Sequence, residues 1–181
     1  MVQQGTYRMG TPEGRLTART SRSGLGARAG HDLVLEAGEW VAVVSVDHEG
    51  SATIEVTVDA SSLTIREALG GLKPMTSADR KTTEKNMRKV LQPDKYPRVI
   101  FTAATPTTQG SAVTAEGELT LLDVTQPLTV SGTVSTDGQV QAEATVTQSR
   151  WGITPFSAFF GALRLADDVV ITVEAPLQPE G

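Results

Sequence analysis

The chain has 181 residues, a formal net charge of −5 and no cysteine. Its length fits one domain with a substantial core, and its negative charge argues against nucleic-acid binding as a main role. The lack of cysteine excludes disulfides, thiolate nucleophiles and cysteine-bound zinc. The N-terminus MVQQGTYRMG lacks the basic and apolar regions of a signal peptide, and no apolar run approaches the ~18 residues of a spanning helix. We therefore expect a single domain over 1–181, cytoplasmic and without stable membrane insertion.

Alternating apolar and polar residues predict β-strands from the N-terminus onward. GTYRMG and RLTART are short strands, and the Gly-rich segment 21–30 predicts a loop or a bulged strand. Strands follow from Asp32, through EWVAVVSVD, and at 51–60. In the last of these the inward face carries Ala52, Ile54, Val56 and Val58. Residues 61–75 predict a connection with a short helical or 3₁₀ turn.

The stretch 76–98 is the only long segment with helical character. Thr76 or Ser77 can cap its N-terminus, and Asp79 stands at the capping-box spacing from Thr76. Pro93 ends the helix, because proline cannot continue the backbone hydrogen bonding. An apolar stripe predicts that the helix docks on the rest of the domain, through Met87, Val90 and Leu91.

The second half of the chain again predicts strands, with VIFTAAT, SAVTAEGELTLL, LTVSGTV and QVQAEATVTQ in order. Turns are predicted at Asp123–Pro127 and, as a tight hairpin, about Thr136-Asp137-Gly138. The aromatic segment 149–162 interrupts the strands, and 163–177 predicts a closing hairpin about Asp167-Asp168. About eight or nine antiparallel strands with one helix predict an all-β domain, either an antiparallel β-barrel capped by the helix or a flattened sandwich.

The inward positions of these strands carry small side chains, which bears on whether a barrel would be hollow. A barrel of eight strands can be filled by side chains or can hold one small ligand. Only 4% of the residues are aromatic, so little bulk is available to fill the interior. A ligand with an apolar tail would restore the contacts that an empty cavity forfeits. The smallest inward residues are Ala52, Ala115, Gly117, Ala142 and Ala144.

Two motifs resemble the YceI-like family. The first is Pro93-Asp94-Lys95-Tyr96-Pro97-Arg98-Val99-Ile100-Phe101, which follows the helix. The second is Gly117-Glu118-Leu119-Thr120-Leu121-Leu122-Asp123-Val124-Thr125-Gln126-Pro127. Their combination in this order is specific, and the likeness extends over essentially the whole chain. Arg150 precedes Trp151-Gly152 where the family usually has Asp, and Gly24-Leu25-Gly26 stands where it has His-Leu-Gly.

This resemblance implies a lipocalin-like barrel with a helix over it and a long interior pocket for isoprenoid-type lipids. The expected function is to bind and sequester a polyprenyl or quinone-like molecule as a carrier or store, without chemistry and without a cofactor. The expected ligand-binding residues are inward aliphatic side chains and the aromatic cluster near the expected barrel mouth. They are Leu33, Leu35, Val56, Phe101, Leu119, Leu121, Trp151, Phe156, Phe159 and Phe160.

Other readings of the same residues stay open. The basic side chains of the helix could meet a pyrophosphate head group or an anionic membrane, or form an ordinary solvated face. His31 and His48 are the only histidines, too few for a His-rich metal site without cysteine. A filled barrel acting as a stress-related or interaction scaffold is one alternative function. Another is a small enzyme working near Arg150 and residues 21–31. Exposed edge strands would be covered in a homodimer.

Overall fold

A computed structural model describes residues 3–180 of the protein, with Phe159 described by its backbone only. Seven strands precede the helix: β1 (Gly5–Gly10), β2 (Arg15–Arg19), β3 (Arg22–Ser23), β4 (Asp32–Ala37), β5 (Trp40–Val46), β6 (Ala52–Asp59) and β7 (Leu63–Leu69). The helix α1 spans Ser77–Leu91. The remaining strands are β8 (Arg98–Ala104), β9 (Thr107–Gln109), β10 (Ala112–Leu121), β11 (Val124–Val134), β12 (Gln139–Thr147), β13 (Ser157–Ala158), β14 (Leu163–Leu165), β15 (Asp168–Pro176) and β16 (Gln178–Pro179).

Thirteen strands form one antiparallel sheet in the order β16-β1-β5-β6-β8-β10-β11-β12-β15-β2-β4-β7, with β9 paired to β10. The sheet curls into a half-barrel, and β1 touches β15 across it. A separate small sheet joins β13, β14 and β3. The all-β antiparallel class with one helix is therefore confirmed, but the expected strand count of about eight is wrong. The extra strands are mostly short, and two or three residues cannot show an alternating pattern.

Strand β7 lies where the sequence predicted only a connection. The 3₁₀ turn expected there is present at Ala60–Ser62, but a strand of seven residues follows it. In the pairing with β4, Leu35 lies opposite Ile65 and Val34 opposite Glu67, so Arg66 is an extra residue. This bulge breaks the alternation of side chains that would have identified the strand.

Two predicted turns also differ from the structure. Residues 163–177 do not form a hairpin, because β14 pairs with β13 and β3 while β15 pairs with β12 and β2. The turn before β11 is shorter than Asp123–Pro127, since Leu121 already pairs with Val124. Leu122 and Asp123 adopt φ angles of 53° and 63°. A turn of this hand normally contains Asn-Gly or Asp-Gly, so Leu-Asp gave no signal.

The N-terminus of α1 forms the predicted capping box. The Thr76 hydroxyl accepts from the Asp79 backbone N–H at 3.1 Å, and the Asp79 carboxylate accepts from the Thr76 backbone N–H at 3.0 Å. Gln92 ends the helix in the left-handed region, with φ 44°, and its N–H donates to the Arg88 carbonyl. Pro93 follows, so both predicted ends of the helix are confirmed.

Helix α1 covers the open edge of the sheet at β7. The Glu84 carboxylate accepts from the Ile65 backbone N–H at 3.2 Å, and the Arg80 guanidinium donates to the Ile65 carbonyl. One turn further along, Arg88 donates to the Ser61 carbonyl at 3.2 Å. Polar side chains of the helix thus satisfy backbone groups that an edge strand would otherwise leave unpaired.

The two faces of the long strands separate as the alternation predicted. Gly117 breaks the inward row on β10 for a steric reason: a Cβ atom there would lie 2.7 Å from the Phe101 ring. The other inward residues of β6, β10 and β12 line the interior, namely Ala52, Ile54, Val56, Val58, Val113, Ala115, Leu119, Leu121, Val140, Ala142, Ala144 and Val146.

Replacing Glu84 tests how strongly the helix is held to the sheet. Glu84→Ala leaves the N–H of Ile65, a residue only 5% exposed, without its acceptor. We expect the free energy of unfolding to fall by about 1–3 kcal/mol, measured by urea denaturation. Glu84→Gln keeps an acceptor oxygen and should retain most of the stability. Equal losses in the two variants would contradict this account of the contact.

Candidate functional site

The curled sheet and α1 enclose a cavity of about 1590 Å³. This volume exceeds the roughly 300–1000 Å³ of ordinary small-molecule pockets. The interior is therefore not filled by the protein's own side chains. Most of the lining is aliphatic and comes from β4, β5, β6, β10, β11, β12 and β15. Representative lining residues are Leu33, Val44, Ile54, Val130, Val146 and Ile171.

The cavity is elongated along the strands. On β10 the lining extends from Val113, the second residue of the strand, to Leu121, its last residue. At about 3.4 Å per residue, this distance is roughly 27 Å. The loop glycines Gly50, Gly110 and Gly138 line the far end, whereas Met75 and Asp79 line the end beside the start of α1. A ligand of extended shape fits such a space better than a compact one.

Seven of the ten residues expected to bind a ligand lie on the cavity wall. Phe101 and Leu119 are buried and also belong to the core cluster around β8 and β10. Their side chains therefore both pack in the core and line the cavity. Phe156 is 51% exposed and lies where the cavity opens between loops. The seven are Leu33, Leu35, Val56, Phe101, Leu119, Leu121 and Phe156.

The other three expected residues lie elsewhere. Trp151 is 1% exposed, packs into the core and donates its indole N–H to the Leu119 carbonyl at 2.9 Å, so it supports the wall from behind. Phe160 points into solvent, with φ 55°. The side chain of Phe159 lies outside the described part of the structure. These aromatic residues are close together in sequence. The tight turns between 148 and 161, however, orient Trp151 toward the core and Phe160 toward solvent.

Polar groups gather at the end of the cavity beside the N-terminus of α1. His31 contacts the Lys73 carbonyl through Nε2 at 2.8 Å, and Thr83 and Asn86 face the cavity from the helix. Asp79 lines the same end, and hydrogen bonds from the Thr76 hydroxyl and backbone hold the pKa of its carboxyl below the ordinary value. This end can therefore hydrogen-bond the polar head of a ligand whose tail lies among aliphatic side chains.

The cavity wall also contains residues that were not predicted as ligand contacts. The helix contributes Met87, Val90 and Leu91, whose spacing predicted docking but not contact with a ligand. Leu72 and Met75 come from the connection before the helix. No periodic pattern identifies such loop residues, because their position depends on how β4 and β7 are paired.

In the described residues, neither Arg150 nor any cluster of metal-ligating side chains forms a further candidate site. Arg150 is exposed and its guanidinium lies 5.4 Å from the centre of the Trp151 ring, outside the cavity lining. Within residues 3–180, no three His, Asp or Glu side chains come together as metal ligands would. Over the same residues no helix has the length and apolar character needed to cross a membrane.

An antiparallel β half-barrel around a large apolar cavity, covered by one helix, defines the lipocalin-like class of ligand-enclosing folds. The family model of the YceI-like domain matches residues 19–177 of the sequence, and the chain belongs to this family. Membership fits a lipid-binding role. Comparison with curated proteins finds no significant match.

Solved structures agree with this assignment of the fold. BcnA from Burkholderia cenocepacia is 14% identical, with a TM-score of 0.63 over 90% of this chain and 94% of BcnA. The Campylobacter jejuni YceI protein is 15% identical, with a TM-score of 0.57 over 81% of this chain and 84% of its own. At such identities the likeness concerns the fold alone.

Replacing Trp151 distinguishes support of the wall from contact with a ligand. Trp151→Phe removes the indole N–H and leaves the Leu119 carbonyl without its donor. We expect a loss of about 1–3 kcal/mol in unfolding free energy, measured by urea denaturation. Phe160→Ala, at an exposed position, should change it by less than about 0.5 kcal/mol. A stability loss from Phe160→Ala as large as that from Trp151→Phe would contradict these placements.

Proposed function

We propose that the protein binds and sequesters one extended apolar molecule, of the isoprenoid, polyprenyl or quinone-like type, as a carrier or store without chemistry. The observation that carries the proposal is the cavity of about 1590 Å³ with its aliphatic lining. Membership of the YceI-like family supports the same class of ligand.

The physical basis of binding is burial of the tail. Moving a methylene group out of water contributes about 0.8 kcal/mol, so a long tail gains affinity with few polar contacts. Most of the cavity wall is formed by side chains on paired strands, which lowers the cost of ordering side chains on binding. Affinity should therefore rise with tail length until the cavity is filled.

The seven lining residues of the expected set are the proposed tail contacts. Leu33 and Leu35 face the tail from β4, Val56 and Phe101 from β6 and β8, and Phe156 closes over it at the mouth. Thr83 and Asn86 are the proposed partners of a polar head. Trp151 and Phe160 are not among the proposed tail contacts, because neither lines the cavity.

A scaffold with a filled barrel is not favoured, because the interior is open. An enzyme acting near Arg150 is not favoured either, since the Arg150 guanidinium lies beside the Trp151 ring and Arg150 does not line the cavity. Most carboxylates on the strands stand at outward positions, and Asp79 is engaged by Thr76, which disfavours acid–base chemistry by paired carboxyl groups in the cavity.

Lipid extraction of the purified protein, followed by mass spectrometry, tests the proposed function directly. We expect a co-purified lipid with an isoprenoid-type tail, and its mass will distinguish a polyprenyl chain from a quinone. Protein stripped of lipid by solvent should take up such a molecule again. Protein that neither carries nor takes up any apolar ligand would refute the proposal.

Narrowing the cavity should weaken binding in proportion to tail length. Ala142 lines the cavity, whereas its neighbour Gln141 is exposed on the outer face of β12. Ala142→Phe is expected to reduce the affinity for a long-tailed ligand at least tenfold in a fluorescence titration, and that for a short one less. Gln141→Phe is the matched control and should leave both affinities unchanged. The same loss in both variants would show that the ligand does not occupy the cavity.

A further inference from the structure

The end of the cavity beside the start of α1 is lined by residues from three segments, called the rim here: residues 21–31, 70–75 and 152–166. Hydrogen bonds join them into one surface. Gly26 donates to the Ala162 carbonyl at 2.7 Å, and Ala166 donates to the Ser21 carbonyl at 2.7 Å. His31 joins the first segment to the second through the Lys73 carbonyl.

The rim displays large apolar side chains to solvent. Leu25 is 102% exposed, Phe160 112% and Leu72 76%. Phe160 reaches this position in the left-handed region, at φ 55°, which is strained for a residue other than glycine. Leu72 and Phe156 also line the cavity, so the exposed apolar surface continues into the binding site.

The rim segments themselves are basic, and the aspartates beside them are engaged: Asp32 pairs with Arg22, Asp79 accepts from Thr76, and Asp167 accepts from Ser149. The three segments contain Arg22, Arg28, Lys73 and Arg164 and neither Asp nor Glu, although the protein carries a net charge of −5. Arg22 is paired with Asp32 at 3.7 Å, and the other three cations are exposed. At the far end of the cavity the turns contain acidic residues, namely Asp47, Glu49 and Asp137. An anionic surface would therefore attract the rim and repel the far end.

We propose that the rim docks on the surface of an anionic lipid bilayer, with Leu25, Leu72 and Phe160 entering the interface and the exposed cations meeting phosphate head groups. Exposed apolar side chains ringed by basic ones are the combination that binds such surfaces. Docking in this orientation places the mouth of the cavity against the lipid, so a ligand can pass between bilayer and cavity without crossing water. The transfer step rests on the proposed function, whereas the docking itself does not.

Vesicle co-sedimentation tests the docking. We expect the protein to bind vesicles of phosphatidylcholine with phosphatidylglycerol at least tenfold more tightly than vesicles of phosphatidylcholine alone, with binding that weakens as salt is added. Arg28→Glu with Arg164→Glu should reduce binding to the anionic vesicles at least tenfold. Lys81→Glu with Lys85→Glu changes the net charge equally on the exposed face of α1 and should reduce binding less than twofold.

The apolar contribution has its own variant. Leu25→Asn with Phe160→Asn keeps the charge, and asparagine tolerates the left-handed backbone at position 160. We expect at least a fivefold loss of binding to anionic vesicles. Absence of vesicle binding by the unmodified protein, as expected for a rim that meets an acidic protein instead, would overturn the proposal. So would equal losses from the rim and helix charge variants, or unchanged binding by Leu25→Asn with Phe160→Asn.

A solution assay separates this proposal from the proposed function. Uptake of the apolar probe N-phenyl-1-naphthylamine, measured by fluorescence without vesicles, should be unchanged in the Arg28→Glu, Arg164→Glu variant. Ala142→Phe should weaken probe uptake, by less than it weakens binding of a long-tailed ligand, and should leave vesicle binding unchanged. Probe uptake without vesicle binding would overturn the docking alone, and vesicle binding without probe uptake would overturn only the proposed function.

Discussion

Both backbone groups of Ile65 are bonded by side chains of α1: the Glu84 carboxylate accepts from its N–H, and the Arg80 guanidinium donates to its carbonyl. This contact covers the edge strand β7, where the sheet would otherwise end in solvent. A bare edge at β7 would expose its backbone groups and leave the half-barrel open on that side. At its other end α1 packs Leu91 against the core cluster around Phe101 and Leu119. The helix therefore closes the wall of the cavity by joining an edge strand to a central one.

The way the helix is fixed explains its composition. It has no fully buried residue, and its contact with β7 is made by the ends of long polar side chains. Its cavity face carries Thr83 and Asn86 toward the N-terminal end, and Met87, Val90 and Leu91 toward the C-terminal end. The helix consequently contributes a polar region near the mouth and an apolar region deeper in the wall.

A large internal space has an energetic cost that the rest of the domain offsets. Small inward residues such as Ala52 and Ala142 keep the cavity open, and their side chains forfeit packing contacts. Stability comes instead from the long antiparallel ladders and from compact clusters at the cavity's margins. In one cluster Trp151 is buried with its indole N–H bonded to Leu119, and in the other Trp40 packs with Leu16 and Ala175. Trp151 supports the wall from outside the cavity, whereas Trp40 also lines it.

The sequence alone determined the features that arise from local chemistry. Period-two alternation identified the long strands and their inward faces, the Thr76–Asp79 pair identified the start of the helix, and two motifs identified the family. Tertiary structure decided what depends on pairing between distant segments. The bulge at Arg66 concealed β7, and β14 and β15 join different sheets although they are adjacent in sequence. The volume of the cavity and the gathering of basic and apolar residues at its rim also depend on how the sheet curls, a property that no local pattern encodes.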